Sequence, residues 1–166
     1  AVSALAGVGV VAVIYGIGKL QRGPVSGLIA ALILLTTFQF VQMSRLVNTD
    51  VLLLFFIYVA IYGYLRVRNG ERRWWYVVSV SCALGFMVKS FASLFAPVAI
   101  AIALMVDRQV NETLRAKQFW LSILAGLVII VPWHATMIYF HGSPFVNEYF
   151  YYHVWNRTIT TLEGHT

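Results

Sequence analysis

A chain of 166 residues, 60% hydrophobic and only 11% charged, with mean hydropathy +0.79, falls far below the roughly 25% charged residues of a soluble domain. That composition excludes a water-facing globular surface and calls for a polytopic membrane protein. The net charge of +6 would elsewhere suggest nucleic acid, but Lys and Arg fall in short turns between apolar runs, where membrane orientation accounts for them.

The first apolar run extends from Ala1 to Gly18 and ends in Lys19-Leu20-Gln21-Arg22-Gly23-Pro24. It approaches the roughly 20 residues that cross a hydrocarbon core. It opens inside a helix, without Met or a basic leader. Both chain ends look cut, so a middle portion of a longer protein is expected. Pro24 suits the first turn of a second span, Val25 to Met43, whose far end carries Thr36, Thr37 and Gln39.

Ser44-Arg45-Leu46-Val47-Asn48-Thr49-Asp50 is a polar break, with Thr49 or Asp50 suited to cap the third span, Val51 to Leu65. The basic turn Arg66 to Arg73 leads into Trp74, Trp75 and Tyr76, an interfacial aromatic belt. Trp74 to Val106 holds a single charge, Lys89. As one helix it would be about 50 Å long against a core of about 30 Å, so two short helices meeting in a hairpin at Lys89-Ser90 are predicted. Cys82, the one cysteine, forms no internal disulfide and suits a buried packing position. Asp107 to Lys117 is another polar turn. Phe119 to Phe140 makes a sixth span, kinked at Pro132.

The expectation is an all-α, polytopic transmembrane bundle of about six helices. Residues 1–140 form the transmembrane domain and 141–166 an outer-face interfacial segment. Nine of the 12 basic residues lie in one set of loops: Lys19 and Arg22, Arg66 to Arg73, and Arg108 to Lys117. Arg45, Lys89 and Arg157 lie in the other. The positive-inside rule makes the nine cytoplasmic. The chain is then a multi-pass protein of the cytoplasmic membrane, with Arg45, Asp50, Lys89 and the aromatic tail gathered on its outer face.

Cations beside a carboxylate suit a phosphate-linked substrate, the cations stabilising a phosphate leaving group and the carboxylate orienting or deprotonating an acceptor. The plainer alternatives stay open: Lys89 snorkels to the headgroups, Asp50 caps a helix, and the tail rings anchor in the interface. His134, His141, His153 and His165 show no metal-ligand spacing, so no metal site is expected. His134 after Pro132-Trp133 has the alternative of ligating a pigment or haem.

Four stretches in order, SRLVNTDVLLLFFIYVAIYGYL, ALGFMVKSFASLFAPVAIAI, VPWHATMIYFHGSPFVNEYF and HVWNRTITTLEGH, resemble the GT-C glycosyltransferases of the aminoarabinose-transferase and protein O-mannosyltransferase type. Here Ser90 replaces the Gly that usually follows the hairpin lysine. The resemblance implies transfer of a sugar from a polyprenyl-phosphate donor in the outer leaflet to a lipid, protein or glycan acceptor. It makes Asp50 the acidic, catalytic group of the second outer loop, supported by Arg45. Lys89, Arg157 and His153 become contacts of the donor phosphate. It also puts the main carboxylate in a first outer loop that this stretch lacks, so the segment alone is expected to be inactive. No cofactor is implied beyond an optional divalent cation. The partners are the lipid-linked donor, membrane lipids and an optional membrane-protein complex, with no nucleic acid. The alternatives are a non-enzymatic subunit of a larger complex, contacting pigment or haem, and, ranked last for want of midplane charges and repeats, a transporter.

Overall fold

The computed structural model describes residues 2–46 and 48–146, and every regular element among them is helical. In order these are α1 (Val2–Arg22), α2 (Pro24–Thr36), α3 (Phe38–Arg45), α4 (Thr49–Arg68) and α5 (Trp74–Lys89). A 3₁₀ turn (Ser90–Leu94) then leads to α6 (Phe95–Val106), α7 (Val110–Arg115) and α8 (Lys117–Val146). One compact unit covers Ala1–Leu127 and a second begins at Val128.

Glycine sets the packing of α1. Its Gly9 lies against the Phe55 ring and its Gly16 against Tyr62, in one constant register, while Ser3 exchanges hydrogen bonds of 3.2 Å with the Asn48 backbone. α1 and α4 therefore run parallel. Between them the chain returns through α2 and α3, antiparallel to α1. A Cβ at Gly18 would stand 2.7 Å from the Gly27 Cα, and Gly7 faces Ser44 near the other end. Close backbone approach at small residues is how helices associate where lipid offers no hydrophobic driving force.

The expected second span is bent. Thr37 takes an extended backbone (φ −73°, ψ 107°), and α2 and α3 meet at 68°. The Thr36 and Thr37 hydroxyls donate back to carbonyls of the preceding turn, at 2.9 Å to Ile33. That side-chain competition for backbone acceptors accompanies helix bending.

The hairpin expected at Lys89-Ser90 is present, and α4 shows it. Tyr64, near one end of α4, meets both Trp75 (ring centroids 6.3 Å apart) and Asp107 (3.5 Å), while Asp50, at the other end, meets Lys89. The two ends of Trp74–Val106 thus lie together and its middle lies far away. Ala60, Tyr64, Trp75, Val78, Ala96 and Ile100 pack into the resulting core. Among the described residues, four helical stretches are by length and composition able to cross a membrane, or five with the bent pair. The expected count was about six; Trp74–Val106 is one of the four and doubles back on itself.

Ion pairs gather at the Tyr64 end. Arg68 Nε meets Asp107 Oδ2 at 3.1 Å, Arg72 meets Glu112 at 2.7 Å, and Arg66 meets Glu71 at 2.7 Å while lying over the Trp74 ring. The register of α1 on α4 brings Lys19 and Arg22 to this same end.

α8 starts against α5 and α6, with Phe119 edge-on to Trp75 at 5.0 Å and Gly126 against Ser79. The kink expected at Pro132 is not where α8 departs from helical angles. The interruption falls at Gly142 (φ 54°, ψ −139°), a left-handed φ that glycine adopts without a Cβ penalty.

Candidate functional site

α4 begins at Thr49 because Asn48 leaves the helical region (φ −126°, ψ 132°) and its side-chain oxygen accepts the Asp50 backbone N–H at 2.9 Å. This corrects the expectation that Thr49 or Asp50 caps the span. Asn is as good an N-cap as Asp, and only backbone angles decide between neighbours of the same type. Asp50 falls in the first turn, where a carboxylate also meets the positive end of the helix dipole.

Relieved of capping, the Asp50 side chain turns to Lys89. Lys89 Nζ donates to Asp50 Oδ1 at 2.5 Å, with both side chains about half exposed. α5 ends at Lys89, and the turn behind it closes through Ser93 Oγ, which donates to the Ser90 carbonyl at 2.6 Å. The hairpin thus presents an ammonium at the α4 N-terminus. An ammonium has three donors; one serves Asp50, which leaves two for an anion. Lys89 does reach an exposed surface at its helix end, as snorkelling would require, but its head is held by a partner.

The bend between α2 and α3 opens an apolar groove on each side of α3. Leu34, Phe40, Met43, Val51, Leu54 and Asp50 border one of about 330 Å³. Val8, Leu35, Phe40, Val41, Ser44 and Arg45 border the other, of about 470 Å³, between α1 and α3. Asp50 and Arg45 therefore stand at the same end of the unit on opposite sides of α3, at different grooves. Lys89 joins Asp50. Arg45 has no ion pair among the described residues.

His153 and Arg157, expected at the phosphate, lie outside the described residues. His134 Nδ1 is 2.9 Å from the Ile130 carbonyl, with its ring edge-on to Trp133. His141 is exposed near the end of α8. Among the described residues no group of three metal-ligating side chains converges. Cys82, expected to be buried, is half-buried: it packs against the core and lines an apolar cavity of about 290 Å³ with Trp75, Ile100, Leu104 and Phe119.

Sequence reasoning missed Asn48 as the residue that fixes where α4 starts, although Asn-Thr-Asp before an apolar run signals a helix start. It also missed the partnership of Lys89 with Asp50. That pairing joins residues 39 apart and follows only from the α4–α5 register.

Residues 1–135 match the model of a family described as dolichyl-phosphate-mannose-protein mannosyltransferase. Comparison with curated proteins and with solved structures returned no match.

Proposed function

We propose a specific reaction for this chain, which belongs to the dolichyl-phosphate-mannose-protein mannosyltransferase family and so to the membrane glycosyltransferases. A sugar passes from a polyprenyl-phosphate donor to a lipid, protein or glycan acceptor at the outer membrane face, in an enzyme of GT-C type like the aminoarabinose transferases and protein O-mannosyltransferases. The observation that carries this reading is the Lys89–Asp50 pair, whose carboxylate residue also lines an apolar groove.

A lipid-linked phosphate needs a hydrocarbon surface near a cation, and the groove lined by Asp50, with Lys89 hydrogen-bonded to that residue, fits this need. In the reaction the bond from the anomeric carbon to the phosphate oxygen lengthens and negative charge grows on the phosphate. A preorganised ammonium at that point stabilises the charge as it develops. Arg157 and His153 complete the phosphate contact, and Arg45 supports the same membrane face. The ring of Arg66, Arg68 and Arg72 at the opposite end of α4, joined by Lys19 and Arg22, supports a cytoplasmic placement for that end and hence an outer placement for Asp50 and Lys89.

The test is transfer by the intact protein from a polyprenyl-phosphate sugar. Lys89→Ala is expected to lower turnover by at least a hundredfold, in the range of losses seen on removing one charge-stabilising donor. Wild-type turnover in that variant sinks the assignment.

A further inference from the structure

The Lys89–Asp50 contact poses a question that phosphate binding alone leaves open. A carboxylate already occupies one donor of the ammonium that is to receive a phosphate, and it brings a negative charge to an anion site. A phosphate oxygen in hydrogen-bond contact with Nζ puts its charge within about 5 Å of the Asp50 carboxylate, and the repulsion between them scales with the charge on the phosphate.

That charge changes during the reaction. Transfer breaks the bond between the anomeric carbon and the phosphate oxygen, which keeps the electron pair. The carbon bonds to the acceptor heteroatom, and the acceptor's proton passes to a base. The donor phosphodiester carries one negative charge. The departing lipid phosphate is a monoester, carrying roughly −1.5 to −2 at neutral pH. A site holding only cations would therefore bind its product more tightly than its substrate.

We propose that Asp50 competes with the lipid phosphate for Lys89, so that the site discriminates against the more highly charged monoester product and releases it. This rests on the reading of Lys89 as the phosphate contact. Asp50 then acts through Lys89 as a specificity-determining group. The exposure of both side chains leaves the ammonium free to swing between carboxylate and phosphate without unpacking the core. Asn48 caps α4 and so frees the Asp50 carboxylate for this use.

The experiment measures binding, independent of turnover, in the intact protein reconstituted into nanodiscs. The probes are a short-chain prenyl monophosphate and its methyl diester, which share a lipid and differ in charge. Asp50→Asn is expected to tighten the monophosphate on the order of tenfold and the diester about threefold or less, the effect of one neighbouring charge being graded by the ligand's own. In the Lys89→Gln background the same change is expected to have a smaller effect, since competition for the ammonium is gone and only the direct repulsion remains. Asp50→Ser serves as a second uncharged variant should Asp50→Asn fold poorly.

Equal or weaker monophosphate binding in both Asp50 variants, while Lys89→Gln weakens both probes, overturns this inference alone. Collapse of turnover in those variants would then mark Asp50 as a proton acceptor. Wild-type binding of both probes by Lys89→Gln overturns the phosphate reading itself.

Discussion

Arg68 Nε and Asp107 Oδ2 stand 3.1 Å apart although 39 positions separate them, which ties the end of α4 to the end of α6. The Tyr64 hydroxyl donates to the same carboxylate oxygen. Asp107 is only one-quarter exposed and Arg68 less than half. Asp107→Ala is therefore expected to lower stability by about 1 kcal/mol, the upper end for a partly exposed pair, measured by denaturant titration in detergent. High salt should narrow the difference. Loss of several kcal/mol would mean that Asp107 holds more than Arg68 and Tyr64.

Two glycines predict opposite outcomes for one substitution. A Cβ at Gly27 would lie 2.4 Å from the Tyr15 carbonyl oxygen and 2.9 Å from the Lys19 nitrogen, both backbone atoms. Gly27→Ala must push α1 and α2 apart, and a loss of about 1–3 kcal/mol is expected from overpacking. At Gly85 the nearest atoms stand at 3.5 Å or beyond. Gly85→Ala is expected to be neutral or to gain up to about 1 kcal/mol from helix propensity. Thermal unfolding of the pair decides it.

The hairpin has a covalent test. A Cβ built on Gly85 stands 3.5 Å from the Ser93 Cβ, within the span that a disulfide requires. In a Cys82→Ala background, Gly85→Cys with Ser93→Cys is expected to close a disulfide under mild oxidation, read as loss of free thiol. In a straight helix the two positions would be about 12 Å apart and both thiols would stay reactive.

The start of α4 depends on one side chain. Asn48→Ala removes the acceptor of the Asp50 N–H and is expected to cost about 1 kcal/mol, whereas Asn48→Ser should retain most of that stability. Hydrogen exchange at the first turn of α4 reports the difference directly. Unchanged exchange in Asn48→Ala would mean that the Ser3 contacts with the Asn48 backbone suffice to hold the turn.

The hairpin was legible because an apolar stretch longer than a bilayer, holding one charge at its middle, has few ways to be satisfied. The basic turns and the polar break were legible for similar reasons of solvation, whereas Trp75, expected in an interfacial belt, is buried in the core against Tyr64 and Phe119. The bend at Thr37 was not: Thr36, Thr37 and Gln39 were visible as polar, yet hydropathy does not say whether a hydroxyl bonds its own helix or a neighbour. The Asp50–Lys89 pair and the Arg68–Asp107 and Arg72–Glu112 pairs were hidden, since each depends on the relative register of two helices. Between α4 and α5 that register is set where Gly63 meets Val78 and Gly85 meets Phe56 and Leu53, and no periodicity within a single segment reveals it.

The length of α4 between its two charged ends has a consequence for depth. From Asp50 to Arg66 the helix rises about 24 Å, while the hydrocarbon of an ordinary bilayer is about 30 Å thick. A membrane that holds Arg66, Arg68 and Arg72 among its headgroups either thins locally or leaves Asp50 and Lys89 several ångströms below its opposite headgroup plane. On the proposed phosphate reading of Lys89, a membrane-anchored phosphate meets the ammonium with its tail still in hydrocarbon. On that reading, no lipid has to be lifted toward water for its headgroup to reach the site.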